Sequence, residues 1–356
     1  MSRPVATQTD IDFQNDILQG VSRTFALTIP QLPDPLMKAV SNAYLLCRIA
    51  DTIEDDPTLN LSEKKLYSDW FASLVEENQT TDDFANELVP KLGPHTSDSE
   101  RLLIQKSSTV LRITHSLSLN QRNAMFKCVK TMTEGMVLYQ GKETLDGLEN
   151  QPAMDLYCYY VAGVVGEMLT ELFLEYGKTW DEDCKNTMLQ FSTSFGQGLQ
   201  MTNILKDIWA DRERGACWVP RDVFEKENIV LSEIKNGLDP GFDRCLKILI
   251  ATTFFHLENA LNYTLAIPKE ESGIRRFCLW ALFLATLTLR KIHRDPKYID
   301  GETVKISRTA VKIVVSFTTM FSKSNLGLRF LFFVLSLRLP KVKKNVITVN
   351  ADTSGT

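Results

Sequence analysis

Two stretches of the chain place aspartates four residues apart in apolar surroundings. In NAYLLCRIADTIEDDP, residues 42–57, helical spacing puts Asp51, Glu54 and Asp55 on one face. The stripe runs back through Arg48 to Tyr44, so anionic ligands, a cation and an aromatic ring share one side of an otherwise apolar helix. In SFGQGLQMTNILKDIWADRERG, residues 194–215, Asp207 and Asp211 repeat the spacing, and Asn203 and Gln200 continue the line backward. Burying even a neutral polar group without a partner costs roughly 2–7 kcal/mol. One acidic pair alone is ordinarily a solvated face, but two alike in apolar settings call for a bound cation. Mg²⁺ takes oxygen ligands and is held through a few carboxylates plus substrate phosphates. Asp51, Glu54, Asp55, Asn203, Asp207 and Asp211 are therefore the candidate metal ligands. Cations held there would neutralise a diphosphate and make it a leaving group. The carbocation left behind needs an apolar, aromatic-lined cavity.

Groups for the diphosphate itself should lie nearby. Ser22, Arg23, Thr24 and Phe25 precede the first long helix, where backbone N–H groups and a guanidinium fork suit phosphate oxygens. The alternative for this tetrapeptide is a helix cap.

The elements that position these residues are helices. Apolar residues recur at helical spacing almost throughout, with no period-two run long enough to build a sheet, so an all-α fold is expected. Helices are predicted over 35–55, 62–77, 99–119, 121–141, 152–176, 182–211, 239–265, 271–293 and 303–321. Breaks fall at Pro33 and Pro35, Pro90–Pro94, Gly141–Pro152, Gly215–Pro220 and Pro268. No connection is long enough for an interdomain linker, which leaves an N-terminal extension (1–14), one helical domain (15–322), an apolar helix (323–345) and a disordered tail (346–356). The uncharged core of the apolar segment runs only from Phe330 to Leu337, too short to cross a bilayer. It reads as a final core helix or as an interfacial anchor flanked by Arg329, Arg338, Lys341, Lys343 and Lys344.

Composition narrows the classes. The net charge of −4, from 44 acidic and 40 basic residues, offers no global field for nucleic acid. Seven cysteines without a C-x-x-C pair read as reduced, packed thiols, and four scattered histidines lack zinc spacing. No apolar stretch of a signal peptide opens the chain, so a cytoplasmic setting is expected. No G-x-G-x-x-G turn of a Rossmann cofactor site occurs.

Taken together, the ordered motifs resemble the squalene and phytoene synthase family. Its S-R-[ST]-F segment matches Ser22–Phe25, its Y-x-x-x-R-x-x-D-x-x-E-D helix matches Tyr44, Arg48, Asp51, Glu54 and Asp55, and its Q-x-x-N-x-x-x-D-x-x-x-D helix matches Gln200, Asn203, Asp207 and Asp211. Family-like elements also stand at Tyr157–Gly166 and in RGACWVP at Arg214–Pro220, so the resemblance covers about residues 15–320. It implies a single-domain class I isoprenoid synthase bundle around a deep apolar channel. It also implies diphosphate ligands at Ser22, Arg23, Tyr44, Arg48, Gln200 and Asn203, and a catalytic tyrosine at Tyr157. The implied reaction is head-to-head condensation of two farnesyl diphosphates through presqualene diphosphate, with Mg²⁺ and, in the squalene-forming branch, NADPH. Residues 275–292 and TVKISR at 303–308 look closer to that branch. Its phosphate-binding lysine falls on Lys305, while its arginine position is Ser307 here with Arg308 adjacent. Lys206 replaces an arginine common before the second aspartate motif, keeping charge but losing the bidentate fork.

The expectations are thus a monomeric enzyme acting on farnesyl diphosphate, with peripheral contact to the cytosolic face of a membrane through the C-terminal segment. The alternatives are a reductant-free phytoene or dehydrosqualene synthase of the same family and a non-catalytic helical binding protein. The D-D-x-x-D and N-D-x-x-S-x-x-x-E pair of terpene cyclases is not found.

Overall fold

The computed structural model describes residues 5–22, 24–76, 81–140 and 144–342. Arg23, Gly141, Lys343, Lys344 and the tail from 346, all named above, lie outside the described residues. Among those described, every regular element is a helix, and the only extended pairing is an isolated parallel bridge between Leu148 and Pro220.

The first aspartate motif ends the helix Asp34–Asp55, which opens on Pro35 near its first position and buries one apolar side from Leu36 to Ile53. Asn42 is the polar exception: its amide donates to the Val110 carbonyl at 3.0 Å and its oxygen accepts from Thr114 at 2.7 Å. The second motif ends the helix Glu182–Glu213, 32 residues or about 48 Å long. Asp181 caps it, accepting from the Cys184 N–H at 2.7 Å, and acids fill its first turn. Its first half packs Cys184 and Met188 into a core built on Asp34–Asp55, Leu61–Glu76 and Leu119–Tyr139. Its second half packs Met201 to Trp209 into a core built on Phe242–Ala266 and Ser272–Arg294. Phe195 touches both cores.

Several predicted runs are interrupted where caps or turns compete. The 99–119 run divides at Lys106 into Asp98–Gln105 and Ser107–Ser116. The 152–176 run becomes Gln151–Cys158, a π-helical turn Tyr159–Gly163, and Val164–Tyr176. There Gly196 of the long helix lies against the Ala162 carbonyl, an approach that leaves no room for a Cβ. The 303–321 run is a short turn, Gly301–Val304, followed by Arg308–Phe321, whose cap is Ser307. A helix Gln8–Val21, closed by a Thr7–Asp10 capping box, packs on Asp34–Asp55, and the boundary drawn at residue 14 falls inside it. All seven cysteines are free and buried.

Ser272–Arg294 is long and apolar enough by length and composition to cross a membrane, but most of it is buried inside the fold. It carries Arg275, fully buried, whose guanidinium donates to the Ser322 carbonyl at 2.8 Å, to the Thr264 and Leu265 carbonyls at 3.4 and 3.5 Å, and to Asn325 Oδ1. One cation thus satisfies the carbonyl ends of Phe242–Ala266 and Arg308–Phe321 and pins the start of the last helix, Asn325–Ser336. Arg275→Met should cost about 2–4 kcal/mol by stranding those carbonyls. In hydrogen exchange, residues 308–336 should lose protection before the rest of the fold; unchanged protection there would contradict this account.

Candidate active site

Three walls meet at one cleft. On the first, Arg48 lies 3.9 Å from Asp51 and donates to Glu100, whose other oxygen accepts from Ser97 N and Oγ at 2.9 and 2.8 Å. The Ser97 capping box was readable in sequence; that Glu100 would also fix Arg48, from a helix 52 residues on, was not. Tyr44 donates to the Val21 carbonyl at 3.0 Å and packs its ring 5.0 Å from Phe25. Ser22 Oγ accepts from the Phe25 N–H at 2.9 Å, so in this state it closes the turn. Burial, then the Asp55 charge, pushes Asp51 up to about 7 against the pull of Arg48. Asp55 is open to water but crowded by protein, and that desolvation raises it although Arg48, Arg214 and Lys64 oppose the shift. The Glu54 carbonyl accepts from Lys64, which ties this helix end to Leu61–Glu76.

The second wall is the end of the long helix. Asp207 pairs with Lys206 at 3.0 Å, and Asp211 pairs with Arg214. Gln200 is half-buried and Asn203 exposed along the same stripe. Burial raises Asp211, Arg214 lowers it, and both Asp207 and Asp55 raise it again. The charge of Asp55 reaches Asp211, so the two aspartate motifs lie within electrostatic range of each other. Gly301 seats directly on Asp207, where a Cβ would stand 2.6 Å from Oδ1.

Aromatic rings make the third wall. Tyr157 is buried and stacks on Trp218 with centroids 4.3 Å apart and planes 6° from parallel. Tyr139 meets it edge-on at 5.0 Å, and Tyr160 lies 6.3 Å from Tyr139. Trp218 is placed by a backbone clamp in which Leu148 N donates to Val219 O at 3.0 Å and Arg221 N to Leu148 O at 2.7 Å. Burial holds the Tyr157 phenol well above its usual range, and Glu54, Asp211 and Asp55 add to the shift, so carboxylates of both motifs lie within electrostatic reach of the ring. Tyr139 and Trp218 were not singled out in the sequence; the W within RGACWVP was the available signal.

Among the described residues no three His, Cys, Asp or Glu side chains form a ready-made metal cage. Each aspartate pair keeps a carboxylate raised by burial and by like charge despite the neighbouring Arg48, Lys206 and Arg214, and this suits Mg²⁺ that brings waters and a diphosphate to complete its shell. Of the remaining candidates, Lys305 is exposed and paired with Glu302 at 2.6 Å, and its carbonyl accepts from Lys291 at 2.6 Å. The turn that carries it touches the second wall through Gly301. Ser307 Oγ accepts from the Ala310 N–H at 3.2 Å, and Arg308 stands exposed at the start of that helix.

Residues 18–310 match the squalene/phytoene synthase family. The chain belongs to that family. It is similar to the squalene synthase of Candida albicans (29% identity over 313 residues, 86% of this chain and 67% of that protein). It is also similar to that of Schizosaccharomyces pombe (30% over 321 residues, 88% and 66%). The chain thus spans about two thirds of the length of these relatives. Its fold is shared with TcSQS in complex with a ligand (TM-score 0.73, 23% identity, 92% of each chain). A dehydrosqualene synthase in complex with a ligand shares it too (TM-score 0.64, 18% identity, 89% and 98% of the chains). The all-helical isoprenoid synthase bundle expected from the motifs is therefore the fold of this family member.

A cleft built this way lowers stability until its charge is answered. With its native pKa raised to about 7, Asp51 binds a proton more readily folded than unfolded between about pH 4 and 7. The destabilisation is absent at low pH, grows as pH rises through that window and is complete above it. Asp51→Asn should therefore raise the melting temperature of the metal-free protein at pH 8, and the gain should shrink at pH 5. A variant less stable than wild type at pH 8 would contradict this.

Proposed function

We propose that this family member joins two farnesyl diphosphates head to head, through presqualene diphosphate, to squalene. The observation that carries the reading is the convergence of two carboxylate pairs and a stacked Tyr157–Trp218 wall on one cleft. When bound, Mg²⁺ supplies charge neutralisation for the departing diphosphate, and NADPH supplies the hydride that ends the sequence. Asp51, Glu54, Asp55, Asn203, Asp207 and Asp211 would hold the cations. Ser22, Arg23, Tyr44, Arg48, Gln200 and Asn203 would hold diphosphate oxygens, which requires Ser22 and Tyr44 to exchange their present backbone partners. Tyr157 keeps its proton on Oη at neutral pH, so it is a donor beside the leaving group and never a competing anion. The faces of Tyr157, Trp218 and Tyr139 favour a carbocation and exclude water from it. Lys305, at the end of the turn that touches the Asp207 wall, and Arg308, at the start of the next helix, are exposed cations that fit the phosphates of NADPH. The Glu302 partner of Lys305 must yield for that contact, and this favours the reductant-free synthase as the second reading.

Peripheral attachment to the cytosolic face of a membrane belongs to the same proposal. Ile313, Phe317 and Met320 of Arg308–Phe321 and Leu326, Phe330 and Phe333 of Asn325–Ser336 are exposed, while Leu328 and Phe332 pack inward. From Thr303 to Ala351 the sequence has no acidic residue and nine basic ones. Apolar faces rimmed by cations lie in a bilayer interface, with about 1 kcal/mol per basic residue near anionic lipid. Full-length protein should float with vesicles containing phosphatidylserine and be released by alkaline carbonate, and Phe330→Asp should abolish flotation. Resistance to carbonate would refute peripheral attachment.

Asp51→Asn or Asp207→Asn should each lower turnover by roughly two to three orders of magnitude with the helical fold intact. Near-normal turnover in either would sink the assignment. With purified protein, farnesyl diphosphate and Mg²⁺, NADPH should direct the product to squalene, and its omission should leave presqualene diphosphate or unreduced hydrocarbon. Identical products with and without NADPH would select the reductant-free reading.

A further inference from the structure

We propose that Arg214 is a diphosphate ligand held in reserve on Asp211, a role that rests on the diphosphate chemistry proposed above. Among the described residues, four cations lie within reach of the cleft's carboxylates. Arg48 is locked between Asp51 and Glu100 with its side chain 27% exposed, and Lys206, paired with Asp207, is 31% exposed. Lys64 is spent on the Glu54 carbonyl. Arg214 differs, for its side chain is 74% exposed while its partner Asp211 is 10% exposed. The guanidinium therefore stands largely in solvent while one Nη holds the shielded carboxylate of Asp211, which leaves other donors of its five without a protein partner among these contacts.

Its position makes release simple. Arg214 ends the long helix, and the next residue, Gly215, takes φ +87° with nothing within 4 Å of where a Cβ would stand. The chain beyond is fixed, since Ala216 N donates to Asp211 O at 3.0 Å and the Leu148 clamp follows, so the side chain can turn without moving the backbone. Arg214 also acts across the cleft, where its charge opposes the rise of Asp55 on the facing helix. Asp211, a candidate cation ligand, would release Arg214 if it bound a divalent cation with a diphosphate, and the guanidinium would then be free to meet the diphosphate. Its planar fork matches phosphate oxygens. Before that, it competes with a cation arriving alone. Arg214 thus favours cation and diphosphate binding together over cation binding by itself. The plainer role, a cation at a helix C-terminus meeting the helix dipole, would be indifferent to pyrophosphate.

Calorimetric titration of the full chain separates the two roles. Arg214→Gln should weaken binding of pyrophosphate with Mg²⁺ at least tenfold, and Arg214→Lys, which keeps the charge but not the fork, should recover only part of that loss. Mg²⁺ alone should bind Arg214→Gln as tightly as wild type or more tightly. Pyrophosphate affinity within twofold of wild type in Arg214→Gln would overturn the proposal. A melting temperature lowered in Arg214→Gln and repaired in Arg214→Lys, with pyrophosphate affinity unmoved in both, would assign the residue to the helix end alone. Wild-type protein that binds no pyrophosphate with Mg²⁺ would sink the prenyl-transfer reading itself.

Discussion

Repulsion between carboxylates that face each other across a half-dry cleft is the constraint to which the surrounding structure answers. The Asp55 charge raises Asp51, and Asp211 feels Asp55 from the opposite helix. Left free, such groups would splay apart. They are held because each helix is anchored on its other side: Asp34–Asp55 by a continuous apolar face, and Glu182–Glu213 by two separate cores along its length. The resident cations Arg48, Lys206 and Arg214 balance part of the charge. Hydrophobic burial elsewhere thus sustains an arrangement that is locally unfavourable, a pattern expected where function and stability conflict.

The sequence made one layer of this legible. Stripes of Tyr44, Arg48, Asp51 and Asp55, and of Gln200, Asn203, Asp207 and Asp211, follow from helical periodicity alone, because residues three and four apart share a face. Which stripe would meet which was not readable, since that depends on packing between helices far apart in the chain. Glu100 on Arg48 is of this kind, and so is the edge-on contact of Tyr139 with Tyr157. Local competition hid other features. Ser22 and Ser307 both spend their hydroxyls on nearby backbone N–H groups, as short polar side chains do at helix starts. The break at Lys106 and the π turn at Tyr159–Gly163 lie within sequence that reads as unbroken helix. The helix Gln8–Val21 was missed although Thr7 and Asp10 spell its capping box.

The π turn has a positional consequence. It begins two residues after Tyr157, and a wider turn shifts the angular register of everything that follows. Before it, Tyr157 points to the carboxylates and Trp218; within it, Ala162 and Gly163 press against Gly196 of the long helix. A regular helix through the same residues could not serve both directions. The irregular backbone is therefore what allows the aromatic wall and the tight helix crossing to coexist on one segment.

The same economy of connection joins the cleft to the far end of the chain. Gly301 rests on Asp207, Lys305 follows four residues later, and Ser307 then starts the helix whose outer side is apolar. Arg275 ties the end of that helix to the core and to the start of Asn325–Ser336. A load applied to the exposed apolar face is thus transmitted through a short, capped segment to the backbone that touches Asp207. Larger side chains at Gly301 would be felt first at Asp207, because the glycine is the point where this segment meets the carboxylate wall. Any membrane that held the outer face would accordingly be coupled, through this short segment, to the second aspartate wall.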